Sequence, residues 1–216
     1  MLERMAGFFE ARLDGYDCHM MTNIESAGEF YPFTARLLPT EVGARVLDLG
    51  CGTGLELGEY FGLNPSARVV GIDLSRAMLA ELERKHGDKD ITLVCGSYFD
   101  LPLGVGVYDA AVSVESLHHF TREEKVGLYS KLSAALKTGG YFILTDYFAS
   151  TAEEEKMHRE NLLTLMREEG AISGELYHYD TPLTVEHETE ALREGGFSSV
   201  EVLRGWGATY TLRAIK

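Results

Sequence analysis

The sequence predicts a doubly wound α/β fold. Five short apolar runs alternate with amphipathic stretches, the helical stretches carry readable end signals, and two further runs near the end alternate polar with apolar. The five runs are "ARVLDLG" (44–50), "ARVVGIDL" (67–74), "ITLVCGS" (91–97), "YDAAVSV" (108–114) and "GYFILTDY" (140–147). Each is rich in Val, Ile and Leu and bounded by Gly, Asp or Ser, which is how strands buried on both faces of a parallel sheet read. Strand and helix in strict alternation give the doubly wound arrangement.

Taken in order, residues 1–40 read as helices ahead of the first strand, with Phe30, Tyr31, Phe33 and Leu37 as their apolar set. They form an N-terminal helical cap. Ser75 caps a helix that carries Met78, Leu79 and Leu82 and ends at Gly87. Thr121 and Glu124 have capping-box spacing and open a helix through Leu128, Leu132 and Leu136 that ends at Gly139. Residues 150–183 break the alternation as an inserted cap, beginning with a helix over 150–170 whose "EEEK" (153–156) is a solvated face. "FSSVEVLRG" and "GATYTLRAI", either side of Trp206, predict an antiparallel pair at the sheet edge and bring the strands to seven. Residues 1–216 are then a single domain with two caps.

Composition narrows the function. The chain has 216 residues, 45% of them hydrophobic and 25% charged, so it can bury a sizeable core. No stretch is apolar for the roughly 18 residues of a membrane span, and the first residues carry charges where a secretory signal has an apolar core. The expected compartment is the cytoplasm, with no membrane partner. A net charge of -14 weighs against a nucleic-acid partner, since such affinity comes largely from Lys and Arg on phosphates. Cys18, Cys51 and Cys95 are odd in number and form no CxxC pair, and His86, His158 and His187 have no ligand spacing, so no metal is expected.

The chemistry concentrates where the first strand ends. Gly50, Gly52 and Gly54 occupy alternate positions there, and glycine lets a ligand lie against the main chain and the following helix N-terminus. The spacing departs from the G-x-G-x-x-G dinucleotide fingerprint, and Asp48 just before it repels a pyrophosphate but suits an ammonium group. Asp73 ends the second strand, placed to accept both hydroxyls of a ribose. A nucleoside with a positive end and no phosphates fits both acids.

These segments, with "VCGSYFDLPL", "YDAAVSVESLHHF" and "LKTGGYFILTDY", resemble in order and spacing the motifs of class I S-adenosylmethionine-dependent methyltransferases over roughly residues 42–147. Among these, the small enzymes of the ubiquinone/menaquinone-pathway type are the most similar. The resemblance implies a Rossmann-like methyltransferase sheet, S-adenosylmethionine as cofactor and a small-molecule acceptor. It also implies that Asp48, Gly50, Cys51, Gly52 and Gly54 hold the methionine end, that Asp73 takes the ribose, and that Leu74 and Met78 pack on adenine. Ser97 stands where the family usually has an acid for the adenine amino group, which shifts adenine recognition toward Tyr98, and Val114 faces the methyl donor. Catalysis in such a site is mainly positioning, with a base needed only for a protonated acceptor. Glu115, His119 and Tyr16 are the candidate catalytic groups, with His118 behind them. His19, Tyr147, Tyr177, His178 and Tyr179 are the candidate acceptor contacts. Two other readings remain open: an enzyme that modifies S-adenosylmethionine in the manner of carboxy-S-adenosylmethionine synthases, and a non-catalytic cofactor-binding protein. A nicotinamide-dependent dehydrogenase is disfavoured by the loop, and monomer and homodimer are equally compatible.

Overall fold

A seven-stranded sheet forms the centre of the molecule: β1 (Arg45–Leu49), β2 (Arg68–Asp73), β3 (Ile91–Cys95), β4 (Tyr108–Val114), β5 (Leu136–Tyr147), β6 (Ser199–Trp206) and β7 (Thr209–Ile215). The structure, a computed structural model, describes residues 2–172 and 174–216. Strand order is β3-β2-β1-β4-β5-β7-β6. Strands β1 to β5 run parallel, and β7 pairs antiparallel with both β5 and β6. The chain direction across the sheet reverses between β1 and β4, which opens a crevice at their carboxyl ends.

Both faces of the sheet are covered, which is why β1 reads as a continuous apolar run. Val46 and Ala110 point to one core with Phe30, Tyr31, Leu57 and Phe61, from α3 (Ala27–Arg36) and α4 (Leu55–Leu63). Leu47 and Leu49 point to the other, with Leu128, Leu132 and Leu192, from α6 (Arg122–Ala135) and α8 (Val185–Glu194). Between α6 and α8 a buried ion pair joins Lys125 to Glu188 at 2.6 Å, and the Tyr129 hydroxyl donates to the same carboxylate.

The helix ends follow their caps. The Ser75 hydroxyl accepts the Met78 N–H at the start of α5 (Arg76–His86), and Glu124 reaches back to the Thr121 N–H at the start of α6. One boundary differs from expectation. Helix α6 stops at Ala135 instead of Gly139, and Leu136 is already extended and paired with Tyr108. Its side chain is fully buried in the strand, and an apolar residue at helical spacing gives the same signal in the sequence.

The caps comprise α1 (Met5–Glu10), α2 (Tyr16–Asn23) and α3 before the sheet, and α7 (Ala152–Glu168) with the strap that follows it. They are joined. Residues Glu3–Arg4 pair antiparallel with Tyr177–His178, and the Met5 N–H donates to the Leu176 carbonyl at 2.9 Å. Helix α7 rides outside them, with none of its residues buried. Among the described residues no helix is long and apolar enough to cross a membrane.

Candidate active site

The glycine loop joins β1 to α4, and its three glycines have φ of +77°, +47° and +76°. They serve different ends. A Cβ on Gly50 would stand 2.1 Å from Ser116 Oγ and one on Gly54 2.3 Å from Leu82 Cδ1, whereas one on Gly52 meets nothing within 4 Å. Protein side chains therefore crowd an added Cβ at positions 50 and 54, and only at Gly52 would a Cβ extend into open space.

Two acids surround this loop. Asp48 is fully buried, and among the described residues no N–H or hydroxyl group donates to either of its carboxylate oxygens. Burial, with the neighbouring carboxylate of Glu56, pushes its pKa well above the ordinary range. An unpaired buried carboxylate is costly, and a cation beside it removes the cost. Asp73 accepts the Gly52 N–H at 2.9 Å and the Ser75 N–H at 2.8 Å, so it holds the loop as well as facing the cleft. Burial raises its pKa against these hydrogen bonds.

A cleft lined by Gly50, Gly52, Asp73, Leu74, Met78, Tyr98 and Val114 lies at the crevice. Met5, Phe9 and Tyr16 from the N-terminal cap also line it, and its volume is about 50 Å³. The Tyr98 hydroxyl lies 3.2 Å from Ser116 Oγ. Burial, and the charges of Asp73, Glu56 and Glu115, raise the Tyr16 phenol, which therefore keeps its proton and acts as a donor.

Four residues expected in this cleft are absent from its lining: Asp48, which is fully buried, and three others. Cys51 is turned into the core against Gly71, and Gly54 packs on Leu82. Ser97 spends its hydroxyl on the Phe99 N–H at 3.2 Å, capping a turn.

A second cavity of about 670 Å³ adjoins the first and shares Phe9, Tyr16, Glu115 and His119 with it. Beyond these it is lined by Arg12, His19, His118, His178 and Asp180 among others. Of the expected acceptor contacts, His19 and His178 line it, and Tyr147, Tyr177 and Tyr179 do not. The Tyr177 hydroxyl is occupied in accepting the Ile172 N–H, and Tyr147 packs edge-on to His118 with ring centroids 6.0 Å apart.

Glu115 stands where the cavities meet, in the left-handed region at φ +49°, and accepts a hydrogen bond from the Thr209 hydroxyl at 3.2 Å. Such strain in a non-glycine residue persists only where its surroundings enforce it. Burial and the charge of Asp146 raise the Glu115 carboxyl to about 7, against the opposing pull of His118. Behind it, Asp146 accepts the N–H groups of Leu117 at 2.8 Å and His118 at 3.1 Å, and its other oxygen lies 2.5 Å from His118 Nδ1. Burial opposes charge on His118, but the Asp146 carboxylate prevails and raises it to about 9. His119 is the opposite case, lowered to about 4 by burial and by the charge on His118. Asp180 is held well below the usual carboxylate range by His119 and His118, against partial burial.

The sequence reading did not single out Asp146 or Asp180 as site residues. Asp146 carried a signal, as an acid at the carboxyl end of a buried parallel strand. Asp180 carried none beyond its place in "YHYD", because what brings it in is a strap anchored by the Thr181 N–H on the His118 carbonyl at 2.7 Å.

Comparison with known proteins identifies the fold and the domain. Residues 46–140 match the methyltransferase domain family. The chain is 36% identical over 104 residues to the cypemycin N-terminal methyltransferase of a Streptomyces species, covering 45% of this chain and 40% of that one. It is 31% identical over 166 residues to the erythromycin 3''-O-methyltransferase of Saccharopolyspora erythraea, covering 74% and 52%. The chain thus spans about half or less of these relatives' length. Its fold is that of a putative O-methyltransferase from Nostoc punctiforme PCC 73102, with a TM-score of 0.73 at 19% identity over 99% of this chain and 62% of the other. The orphaned Asp48, the open face at Gly52 and Asp73 beside it fit a nucleoside with an ammonium end, the features of S-adenosylmethionine. The chain belongs to the class I S-adenosylmethionine-dependent methyltransferases.

Proposed function

We propose that the protein transfers the methyl group of S-adenosylmethionine to a small molecule bound in the second cavity. The observation that carries this reading is the junction: the cofactor cleft and a far larger cavity share Glu115, His119, Tyr16 and Phe9. When bound, the cofactor supplies a methyl group already activated by its sulfonium. The protein's part is to hold and orient. Asp48 and the open face of Gly52 hold the ammonium end, Asp73 the ribose, and Leu74, Met78 and Tyr98 form the apolar wall on the adenine side. Phe9 and Tyr16 exclude water from the junction, which keeps an acceptor in a near-attack arrangement. Glu115 is placed to take the acceptor's proton where one must leave.

A cavity of about 670 Å³ under two caps suits a small acceptor better than a polymer. Three free cysteines fit a reducing compartment such as the cytoplasm. Calorimetric titration with S-adenosylmethionine and S-adenosylhomocysteine tests the first half of the reading. Micromolar binding is expected, weakened by roughly 1–3 kcal/mol in Asp73→Ala. Screening amines, alcohols and acids for S-adenosylhomocysteine release tests the second half. Turnover on tRNA but on no small molecule would overturn the choice of acceptor.

A further inference from the structure

We propose that His118, His119 and Asp180 form a binding site for one divalent transition-metal ion, open toward the second cavity. The three side chains converge although they come from two separate segments. Asp180 Oδ1 is 3.0 Å from His119 Nδ1 and 3.6 Å from His118 Nε2, and one donor atom from each residue lies within 4.8 Å of the others. Donor atoms held about 2.1 Å from one ion are about 3.0 Å apart at right angles and about 3.4 Å apart at tetrahedral angles. The observed spacings bracket that range.

The second observation is an unmet demand. His119 is 8% exposed, and its Nδ1 makes no well-formed hydrogen bond, the Asp180 carboxylate oxygen standing 3.0 Å away. A buried ring nitrogen without a partner is destabilising, and a cation takes its lone pair directly. His118 is prepared in the complementary way. Its Nδ1 lies 2.5 Å from Asp146, which orients the ring and leaves Nε2 toward Asp180, the carboxylate–histidine arrangement found behind metal-ligating imidazoles. Asp180 is delivered by the strap tied to the His118 carbonyl.

The donor set selects the ion. Two imidazoles and one carboxylate suit zinc, iron, cobalt or nickel ahead of magnesium or calcium, which prefer oxygen alone. Three protein ligands leave coordination positions free, as in catalytic rather than structural sites. Those positions face the cavity that His118, His119 and Asp180 line, so the site would hold an oxygen of the molecule bound there, a hydroxyl or a carboxylate. No ligand spacing betrays it in the sequence, because the carboxylate comes from the inserted cap.

The test is titration of metal-stripped full-length protein with Co²⁺, read by visible d–d absorption and followed by displacement with Zn²⁺. One equivalent of Co²⁺ bound at micromolar or tighter affinity is expected. His119→Ala and Asp180→Asn should each weaken it at least about 10-fold, and Asp146→Asn, which changes the group behind His118 and no ligand, by about 10-fold. His158→Ala, away from the cluster, should bind as wild type. Circular dichroism establishes folding of each variant, and Asp180→Asn, at a half-exposed position, remains informative should His119→Ala unfold. Absence of Co²⁺ binding by folded wild type, or equal binding by Asp180→Asn, would overturn the site. The titration uses neither cofactor nor acceptor, so its outcome is separate from that of the methyl-transfer reading.

Discussion

Lys85 on α5 donates to the carboxylate of Asp17 on α2, and the Thr53 hydroxyl of the glycine loop donates to the same carboxylate. Lys85 also donates to the Thr53 carbonyl at 3.2 Å. One acid of the N-terminal cap thereby latches onto both the cofactor loop and the helix behind it. The pair is only partly shielded from solvent, so Lys85→Ala should cost about 1 kcal/mol or less in global stability. Its larger effect should be local. Hydrogen exchange over residues 16–23 should accelerate and cofactor affinity should fall several-fold; unchanged exchange there would show that the latch does not hold the cap.

The three loop glycines should separate by assay. Gly54→Ala places a methyl against Leu82 at a positive φ and should lower stability by about 1–3 kcal/mol. At Gly52 an added Cβ meets no protein atom within 4 Å, so Gly52→Val should cost mainly the backbone strain while abolishing cofactor binding. Thermal melts beside calorimetric titration check both. Full cofactor affinity in Gly52→Val would reduce the loop to a turn.

Cofactor binding should release a proton. Burial raises both Asp48 and Glu56, and in the folded state each then keeps its proton to a higher pH than in the unfolded chain. Their contribution to stability is present below the unfolded value and is lost as pH rises through the folded one. An ammonium beside Asp48 favours the carboxylate and reverses the loss. The melting-temperature gain with S-adenosylhomocysteine should accordingly be larger at about pH 8 than at about pH 6. Calorimetry in buffers of different ionisation enthalpy should register the proton, and Asp48→Asn should silence it.

Lys125 and Glu188 make the strongest stability prediction. The pair is almost wholly buried between α6 and α8, so Lys125→Met leaves an uncompensated carboxylate and should cost about 3–5 kcal/mol. Lys125→Met combined with Glu188→Leu should recover much of that loss. Urea unfolding of the wild type and the two variants measures the difference, and equal loss in single and double variants would deny the coupling.

The parts of the fold and site that were legible in the sequence are those set by local rules. Val46, Leu47 and Leu49 advertised a strand buried on both faces, Ser75 and Thr121 marked helix starts, and Asp48 and Asp73 lie at the carboxyl ends of their strands as the apolar runs placed them. What was illegible depends on tertiary approach. Gly54 looks like a ligand contact until Leu82 is seen above it, and Ser97 looks like an adenine partner until it turns to the Phe99 N–H. His118 ranked below His119 because nothing local shows which of two adjacent imidazoles meets Asp146 from the neighbouring strand.

The pairing of Glu3 with His178 gives the second cavity a history as well as a shape. Its walls are drawn from α1 and α2 at one extreme and from the strap around Asp180 at the other. Contacts so distant along the chain bear a large loop-closure cost and form late. The sheet can assemble without them. The second cavity should therefore be the last part to form during folding and the first to come apart under mild denaturant, a sub-global opening that leaves the central strands intact.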